Sequence, residues 1–505
     1  MQIIRDSFKI FLLLPGKELF SSLFALFHLL MFGNLALAGD SAKMPAVFED
    51  SERMHELKYV FQLMILLLAA GLQAGIAEKV QAVAAREKLD GVDLSVVIMD
   101  AESGQAEYQL SEKVSLIPAS TMKLITTSAA IEKLGESYKY STQVYCSDGG
   151  DLIIEGSGDP ALGLDEDIPA DISAEIERMG ISEIRNIVAD STFFDDQLQH
   201  PDWPVIEINR SYQPEISGVS YRLNCAEFEV WPAGGQVLWD SEPETSFLKV
   251  NNQADYTSSR RNTVWISRKI NKNSFTIHGD CGYQARPVEV PVHRPALFLA
   301  CLTAEELSEN GVNLTGKLLE SNADTSGARL IKSYKTPLLE AVEMANSDSV
   351  NLAAECIAKT IPAENGLRRN QWENFAGEAE KFIASCGAEL DGVKVRDGSG
   401  LSRGNRLTAE VLAAVLRHQY EQENFEEFKN TLAVGGVSGS GPVKRYFTQP
   451  AFKGRIFAKS GTMTGIKALA GYCFTDSGTY IFSIITNNAN GHTRKAINDI
   501  VKSVF

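Results

Sequence analysis

The sequence lacks the residue spacings that usually mark a metal site or a redox centre. Its seven cysteines include no C-x-x-C pair, and its seven histidines include neither an H-E-x-x-H motif nor two histidines four residues apart. Zinc sites and thioredoxin-like centres depend on such close pairs, so we expect no metal ion. Disulfides are compatible with an exported protein, but an odd number of cysteines leaves at least one thiol free.

Positive charge is also scarce. Lys and Arg number 48 against 65 Asp and Glu, the net charge is −17, and no basic stripe with interleaved aromatic residues occurs. Because binding to a phosphate backbone needs clustered Lys and Arg, we expect no nucleic-acid partner. The length of 505 residues and the hydrophobic content of 44% instead predict a folded protein of two or more domains.

The most hydrophobic stretches of the chain are two runs within the first 78 residues. One starts at Leu19 and ends in the small-x-small pattern ALA at residues 36–38, and the other starts at Met54 and ends near Ala77. Each run has the features of a secretory signal peptide. The alternative is a pair of membrane helices, but two crossings would return the rest of the chain to the side on which it started.

One signal is sufficient for export, and the second run has its own start codon, a basic residue at Lys58 and a small-residue cleavage region. We therefore predict that residues 54–77 are the signal peptide and that residues 1–53 are an upstream extension. The mature chain would begin at about Glu78. This predicts an exported protein of the periplasm or cell envelope, with membrane contact at most through the N-terminal segment.

The mature chain begins and ends with patterns that predict one sheet. Residues 92–110 predict two strands that turn at residues 102–104, and residues 454–488 predict three consecutive antiparallel strands. A helix containing Ser120 and ending at Gly135 follows the first pair of strands. Further helical patterns cover residues 336–359, 370–387 and 408–422.

The middle of the chain has a different character. From about residue 143 to 329 the pattern consists of short alternating stretches and frequent turn residues; Phe228 and Val230, for example, share one face of a predicted strand. We interpret this span as a β-rich insert. The chain would then be an α/β protein whose catalytic domain is formed by residues 78–142 and 330–505, with residues 143–329 inserted between its two parts.

Ser120 and Lys123 form an S-x-x-K motif at the start of the predicted helix. Positions i and i+3 share a helix face, so the hydroxyl and the amine can meet. Burial of Lys123 beside apolar neighbours would lower its pKa and allow it to act as a base. The alternative is a helix-capping serine and a solvated lysine, because S-x-x-K alone occurs by chance about once or twice in a chain of this length.

Two further motifs favour catalysis over that alternative. Ser349-Val350-Asn351 is an S-x-N triplet, and Lys459-Ser460-Gly461 lies on a predicted strand near the end of the sheet. The order S-x-x-K, S-x-N, K-[ST]-G is found in β-lactamases and penicillin-binding proteins. All three motifs in this order, on helix, loop and strand, are much less probable by chance than any one of them.

The chemistry of these residues is complementary. Ser120 would attack a carbonyl carbon, Lys123 would remove the serine proton, and Ser349 would relay a proton to the leaving amine. The backbone N–H groups of Ser120 and Thr462 could form an oxyanion hole. The remaining residues would bind the substrate. Asn351 would hold its amide, and Lys459, Ser460 and Thr462 would receive its free carboxylate. Gly461 would leave room for a substrate that lies along the strand edge.

Longer segments carry a family resemblance. IIEGSGDPAL from residue 153, ADSTFFDD from 189, DGSGLSRGNRLTA from 397 and AKSGTMTGIKALAGY from 458 resemble the D-alanyl-D-alanine carboxypeptidase/endopeptidase family, the low-molecular-mass class C penicillin-binding proteins. The resemblance covers nearly the whole mature chain. It implies a β-lactamase/transpeptidase-like fold, an antiparallel sheet flanked by helices, with a large insert between the first two motifs.

The same resemblance implies a function. It indicates a serine DD-peptidase that acts on peptidoglycan peptides, binds β-lactams covalently and needs no cofactor. It also implies that Arg403 faces a pocket for an acidic side chain of the substrate, with a contribution from Asp190.

The sequence departs from the family pattern near the second motif. Ser347 stands where a lysine is expected, and Val350 replaces a usual polar residue, whereas Ser460 keeps the hydroxyl of the more common threonine. Two alternatives to a DD-peptidase therefore stay open. One is a β-lactamase, although no residue clearly supplies the deacylating carboxylate; the other is a non-catalytic protein that binds peptidoglycan.

Overall fold

The computed structural model describes residues 75–505. The predicted extension 1–53 and almost all of the predicted signal peptide 54–77 lie outside the described residues. In the part of the chain that is described, no helix has the length and hydrophobicity needed to cross a membrane.

The described residues form eleven α-helices. In chain order they are α1 (Ile76–Arg86), α2 (Met122–Leu134), α3 (Ile168–Arg178), α4 (Pro295–Glu309), α5 (Leu338–Asn346), α6 (Asn351–Glu364), α7 (Gln371–Ser385), α8 (Ala409–Tyr420), α9 (Phe425–Asn430), α10 (Pro442–Tyr446) and α11 (Thr493–Lys502).

The strands alternate with these helices along the chain. They are β1 (Asp93–Asp100), β2 (Ala106–Leu110), β3 (Lys139–Cys146), β4 (Leu152–Gly156), β5 (Glu183–Ile184), β6 (Ile187–Asp190), β7 (Cys225–Ala233), β8 (Gln236–Glu242), β9 (Lys249–Asn252), β10 (Asp255–Tyr256), β11 (Trp265–Arg268), β12 (Ser274–His278), β13 (Asp280–Cys281), β14 (Val288–Pro291), β15 (Asn313–Leu314), β16 (Leu318–Glu320), β17 (Arg329–Pro337), β18 (Ala433–Val434), β19 (Ile456–Met463), β20 (Ile466–Thr475) and β21 (Gly478–Asn487).

The first two and the last three long strands form one antiparallel sheet. Its order is β18-β19-β20-β21-β1-β2, so β1 from near the start of the described residues pairs with β21 from near their end. The pairing Val97↔Ser483 sets the register at the centre of this contact. The five predicted strands are all present, and the two-residue strand β18 adds a sixth.

Helices cover both faces of this sheet, because its buried strands are apolar on both sides. Successive residues of β1 point to opposite faces: Val97 belongs to a hydrophobic core that includes residues of α2, α5, α6, α7 and α8, whereas Val96 and Ile98 belong to one that includes residues of α1 and α11. Helix α2 is enclosed on all sides, since every residue from Met122 to Ile131 is buried. The predicted α/β fold with an antiparallel sheet flanked by helices is confirmed.

The span predicted as an insert contains further sheets and two helices. The largest sheet has the order β16-β6-β4-β3-β17, in which β4, β6 and β16 are parallel. Helices α3 and α4 share a core with it. Because β3 starts at Lys139 and β17 ends at Pro337, the sheet extends beyond residues 143–329 at both ends. The division of the chain into domains stays a prediction.

All seven cysteines lie within the described residues, and each is a free thiol.

Candidate active site

Ser120 lies in a short 3₁₀ turn, Ala119–Thr121, that leads directly into α2. Its side chain is half-buried at the start of a helix that is otherwise enclosed. Lys123 follows on the same face, and its side chain is fully buried. The first motif therefore places the accessible hydroxyl group of Ser120 beside the amine of Lys123, which is shielded from solvent.

The amine of Lys123 has three partners. Its Nζ is 3.3 Å from Ser120 Oγ, 2.6 Å from Asn351 Oδ1 and 2.9 Å from the carbonyl oxygen of Ser399. Burial lowers the pKa of Lys123 to about 8, against the opposing effect of the charges on Glu355 and Asp397. A fraction of the amine is therefore neutral near pH 7 and able to accept a proton from the serine.

The second motif lies in the break between α5 and α6. Ser349 has a φ of 63°, in the left-handed region, and its Oγ accepts a hydrogen bond from Lys459 Nζ at 2.8 Å. Asn351 begins α6 and links two parts of the protein: its Oδ1 accepts from Lys123, and its Nδ2 donates to the carbonyl oxygen of Tyr212 at 2.7 Å. The three sequence motifs thus meet in one hydrogen-bonded group.

Lys459 of the third motif is buried on β19. Burial, and then the nearby charge of Lys123, lower the pKa of Lys459 well below its usual value. Burial disfavours the charged form of Lys459, so a bound anion would stabilise its ammonium. The role of Lys459 in receiving a carboxylate stays a prediction.

The C-terminal part of β19, Lys459–Met463, has a free edge to which an extended ligand can bind. Strand β18 pairs with β19 only at Phe457 and Ala458, so within residues 75–505 no strand pairs with Lys459–Met463 on that side. A peptide can add to such an edge through main-chain hydrogen bonds. Gly461 permits the close approach of this strand to the serine turn, because a Cβ there would lie 2.8 Å from the carbonyl oxygen of Pro118.

These elements surround a cleft of about 550 Å³. Five of the predicted residues line it, namely Ser120, Ser349, Asn351, Arg403 and Thr462. Arg403 donates through Nη2 to the carbonyl oxygen of Thr464 at 2.7 Å. The lining residues that sequence reasoning missed include Asp202, Glu207, Tyr212 and Lys467. Arg494 was also missed; its Nη2 donates to Thr462 Oγ1 at 2.9 Å.

Asp190 is not brought into this cleft. It lines a separate cavity of about 270 Å³, and its carboxylate accepts from the backbone N–H groups of Thr192 at 3.0 Å and Ala323 at 2.8 Å. These bonds tie the carboxylate to its own turn and to the segment that follows β16. Ser460 lies on β19 next to Lys459, and its carbonyl oxygen accepts from Lys459 Nζ at 3.1 Å.

Two buried carboxylates hold the loop that faces Lys123. Glu355 accepts from the N–H groups of Ser399 at 2.7 Å and Gly398 at 3.1 Å, and from Trp372 Nε1 at 2.7 Å. Asp397 accepts from Trp203 Nε1 at 2.8 Å. Burial and the neighbouring Asp397 raise the pKa of Glu355 to about 7.

Neither carboxylate was predicted as part of the site. A buried carboxylate needs several hydrogen-bond donors, and both Glu355 and Asp397 have them here. By fixing the backbone at residues 398 and 399, Glu355 places the Ser399 carbonyl oxygen against Lys123.

Ser347, at the position where the family pattern has a lysine, contributes its backbone to the fold near the site. Ser347 is buried, and its carbonyl oxygen accepts from the backbone N–H of Ser440 at 2.9 Å. A basic side chain close to Lys123 is that of Lys459, whose pKa is lowered by the charge of Lys123.

Metal binding has no structural support in the described part of the chain. From residue 75 onward, no group of three or more His, Cys, Asp and Glu side chains is placed to hold a metal ion.

Comparisons with known proteins agree with this geometry. A family model described as the D-Ala-D-Ala carboxypeptidase 3 (S13) family matches residues 76–504. The chain is 29% identical over 451 residues to the D-alanyl-D-alanine carboxypeptidase of Actinomadura sp. (strain R39), with 84% of this chain and 83% of that protein covered. It is 21% identical over 399 residues to the D-alanyl-D-alanine carboxypeptidase DacB of Haemophilus influenzae, covering 76% of this chain and 82% of that protein.

A solved structure shows the same fold. The crystal structure of penicillin binding protein 4 (dacB) from Haemophilus influenzae matches with a TM-score of 0.73 at 20% identity, covering 83% of this chain and 97% of that chain.

Proposed function

Because this chain belongs to the D-Ala-D-Ala carboxypeptidase 3 (S13) family, we propose that its serine-type peptidase activity proceeds through an acyl-enzyme on Ser120. The observation that carries the proposal is the buried Lys123, whose Nζ lies 3.3 Å from Ser120 Oγ and whose pKa is lowered to about 8. A serine hydroxyl is a weak nucleophile unless a neighbouring base takes its proton. Lys123 is suited to that role.

In the acylation step, Ser120 Oγ attacks the carbonyl carbon of the scissile peptide bond and its proton passes to Lys123 Nζ. The backbone N–H groups of Ser120 and Thr462 would stabilise the negative charge on the carbonyl oxygen, where one donor is typically worth about 3–4 kcal/mol. The C–N bond then breaks. Ser349 delivers a proton to the leaving amine and is resupplied by Lys459, which donates to its Oγ.

Water completes the cycle. It attacks the ester formed on Ser120 and passes one proton through Ser349 to Lys459, which is thereby restored. The serine oxygen leaves and recovers its proton from Lys123, and the acyl group departs as a carboxylic acid. The products are the shortened peptide and the released D-alanine, or a second peptide where the bond cut is a cross-link. No cofactor takes part in these steps.

Substrate recognition follows from the charges of the cleft. We propose that the C-terminal carboxylate of the substrate lies at Lys459 and the hydroxyls of Ser460 and Thr462. A bound anion would stabilise the buried ammonium of Lys459, and Arg494 supports Thr462 from behind. Arg403, exposed in the same cleft, is proposed to contact an acidic side chain further along the peptide. Peptidoglycan peptides and β-lactams present these groups.

Intact-mass measurement with benzylpenicillin tests the proposal. We expect wild-type protein to gain one covalent adduct and Ser120→Ala to gain none, because the β-lactam carbonyl is captured by the serine oxygen. An adduct on Ser120→Ala would overturn the assignment of the nucleophile. Loss of the drug without an adduct would identify a β-lactamase, and intact drug without an adduct would identify a non-catalytic binding protein.

The proposed substrate also fits the predicted location. Peptidoglycan lies outside the cytoplasmic membrane, and we propose that residues 54–77 direct the chain there as a signal peptide. N-terminal sequencing of the exported protein checks this: a mature end near Glu78 is expected, whereas an end before Met54 would contradict it.

A further inference from the structure

The protein has a second and larger cavity, of about 970 Å³, on the strands of the predicted insert. We call it the insert cavity. Its wall consists of Ile206, Asn209, Arg210, Ser211, Tyr212, Glu227, Val264, Trp265, Ile266, Ser267, Pro287, Val288 and Glu289. None of these residues takes part in the chemistry proposed above.

One segment, residues 204–212, separates the insert cavity from the catalytic cleft. Pro204 and Glu207 line the cleft, Ile206 and Arg210 line the insert cavity, and Tyr212 lines both. Because Tyr212 borders both spaces, the insert cavity and the catalytic cleft are neighbours on the two sides of this segment.

The segment is fixed on both sides. Its Tyr212 carbonyl oxygen accepts from Asn351 Nδ2 at 2.7 Å, and its Asn209 Oδ1 accepts from the backbone N–H of Arg268 at 2.6 Å. A ligand in the insert cavity would thus be held by a wall that is hydrogen-bonded directly to the catalytic group.

Trp265 provides a rigid aromatic surface in this cavity. One face of its ring stacks on His278, with ring centroids 4.2 Å apart and an angle of 15° between the planes. His278 Nε2 is 2.9 Å from Ser267 Oγ, and this hydrogen bond fixes the imidazole ring on which Trp265 stacks. The Trp265 side chain is nevertheless 53% exposed, and Ile206 in the same wall is 87% exposed. Large apolar side chains left open together in a concave site indicate a ligand.

The polar groups of the cavity select between possible ligands. Glu227 on β7 and Glu289 on β14 are direct cross-strand partners, an arrangement of like charges that costs stability. Carboxylates accept hydrogen bonds from hydroxyl and amide groups but repel other carboxylates, and Arg210 is one positive charge in the same wall against these two negative ones. Stem peptides of peptidoglycan carry carboxylates. Its amino-sugar strand instead offers neutral hydroxyl and amide groups and flat C–H faces that can stack on an indole.

We propose that the insert cavity binds the amino-sugar strand to which the substrate's stem peptide is attached, with Trp265 stacking on a sugar ring. The inference rests on the proposed function, since it takes a peptidoglycan peptide to lie in the catalytic cleft. A stem peptide of four extended residues spans about 13–14 Å. Its sugar-bearing end therefore lies away from Ser120, beyond the cleft.

A binding measurement tests the inference without requiring catalysis. The probes are chitooligosaccharides of β-1,4-linked N-acetylglucosamine, which offer hydroxyl and amide groups and no carboxylate, added to the protein carrying Ser120→Ala. We expect Trp265→Ala to weaken binding about tenfold or more. Trp239→Ala is the matched control, because Trp239 on β8 is 37% exposed but does not line the cavity; it should bind as the parent does.

Kinetics give a second readout. The ratio of kcat/KM for a disaccharide-linked peptide to that for the same peptide without sugar should fall in Trp265→Ala and stay constant in Trp239→Ala. Equal glycan binding by both variants, or no glycan binding by the parent, would overturn the inference. So would Trp265-dependent binding of sugar-free stem peptides alone. Failure of the proposed function is seen separately, as missing penicillin acylation of wild-type Ser120.

Discussion

Lys123 is the residue whose protonation state controls the proposed acylation. Only its neutral form can accept the Ser120 proton, and burial lowers its pKa to about 8. We therefore expect the second-order rate of acylation by benzylpenicillin to rise about tenfold per pH unit at acidic pH and to level off above pH 8. Stopped-flow or quenched intact-mass kinetics between pH 5 and pH 10 measure this profile. A rate that does not change with pH would exclude Lys123 as the base.

The buried carboxylate of Glu355 affects the pH at which the acylation rate levels off. Its negative charge raises the pKa of Lys123, so its removal in Glu355→Gln should lower that pKa and move the acidic limb of the profile to lower pH. Glu364→Gln, on the same helix but hydrogen-bonded to the Tyr138 hydroxyl, should leave the limb in place. Urea unfolding of both variants verifies that each is folded. A limb that moves to higher pH in Glu355→Gln would contradict the electrostatic argument.

The sequence predicted the proposed reacting groups but not the side chains that surround them. The spacing of Ser120 and Lys123 follows from helix periodicity, which is readable locally. Asn351 lies 228 residues from Lys123 along the chain, and its Oδ1 accepts from the lysine in the structure, whereas the sequence suggested only contact with substrate. Glu355 was missed because a single acidic residue in a helical pattern does not show that it is buried.

At the scale of elements, the approach of β19 to the serine turn depends on Gly461. A methyl group there would lie 2.8 Å from the carbonyl oxygen of Pro118 and 3.2 Å from the Cβ of Ala119. Gly461→Ala should therefore displace the strand from Ser120. Because small misplacements of reacting groups are costly, we expect acylation to slow by about a hundredfold. The measurement is the rate of adduct formation with benzylpenicillin.

Gly377→Ala is the matched control for that substitution. Gly377 lies within α7, and a Cβ there meets no atom within 4 Å. Alanine should raise the free energy of unfolding by about 0.5–1 kcal/mol through its higher helix propensity and leave acylation unchanged. If Gly461→Ala also acylates at the wild-type rate, the close contact with Pro118 has no functional importance.

The elements themselves were largely predictable, and the exceptions have physical causes. The strands β19, β20 and β21 have alternating or continuous apolar patterns and follow the prediction. Helical patterns over residues 336–359, with the second motif placed on a loop, agree with the break that the chain makes between α5 and α6. The break depends on the left-handed φ of Ser349, which apolar periodicity does not encode. The two-residue strand β18 is too short to give a pattern.

At the scale of the whole molecule, an ion pair joins the predicted insert to the helical layer. Lys359 on α6 donates through Nζ to Asp195 Oδ1 and to the carbonyl oxygen of Gln197, each at 2.7 Å. The side chains of Lys359 and Asp195 are 0% and 6% exposed, and the amine lies 4.0 Å from the ring centroid of Trp372. The sequence could not reveal this pair, because its members lie 164 residues apart.

Removing one member of this pair should destabilise the protein strongly. Lys359→Met leaves the Asp195 carboxylate buried without a countercharge, so we expect the free energy of unfolding to fall by about 3–5 kcal/mol. The double variant Lys359→Met/Asp195→Asn removes both charges and should recover most of that loss.

Lys381→Met is the control: it breaks an exposed pair with Glu378 and should change the free energy of unfolding by less than about 1 kcal/mol. Urea unfolding followed by tryptophan fluorescence compares the four proteins. A double variant as unstable as Lys359→Met would show that the loss comes from packing of the lysine chain, and not from the uncompensated carboxylate.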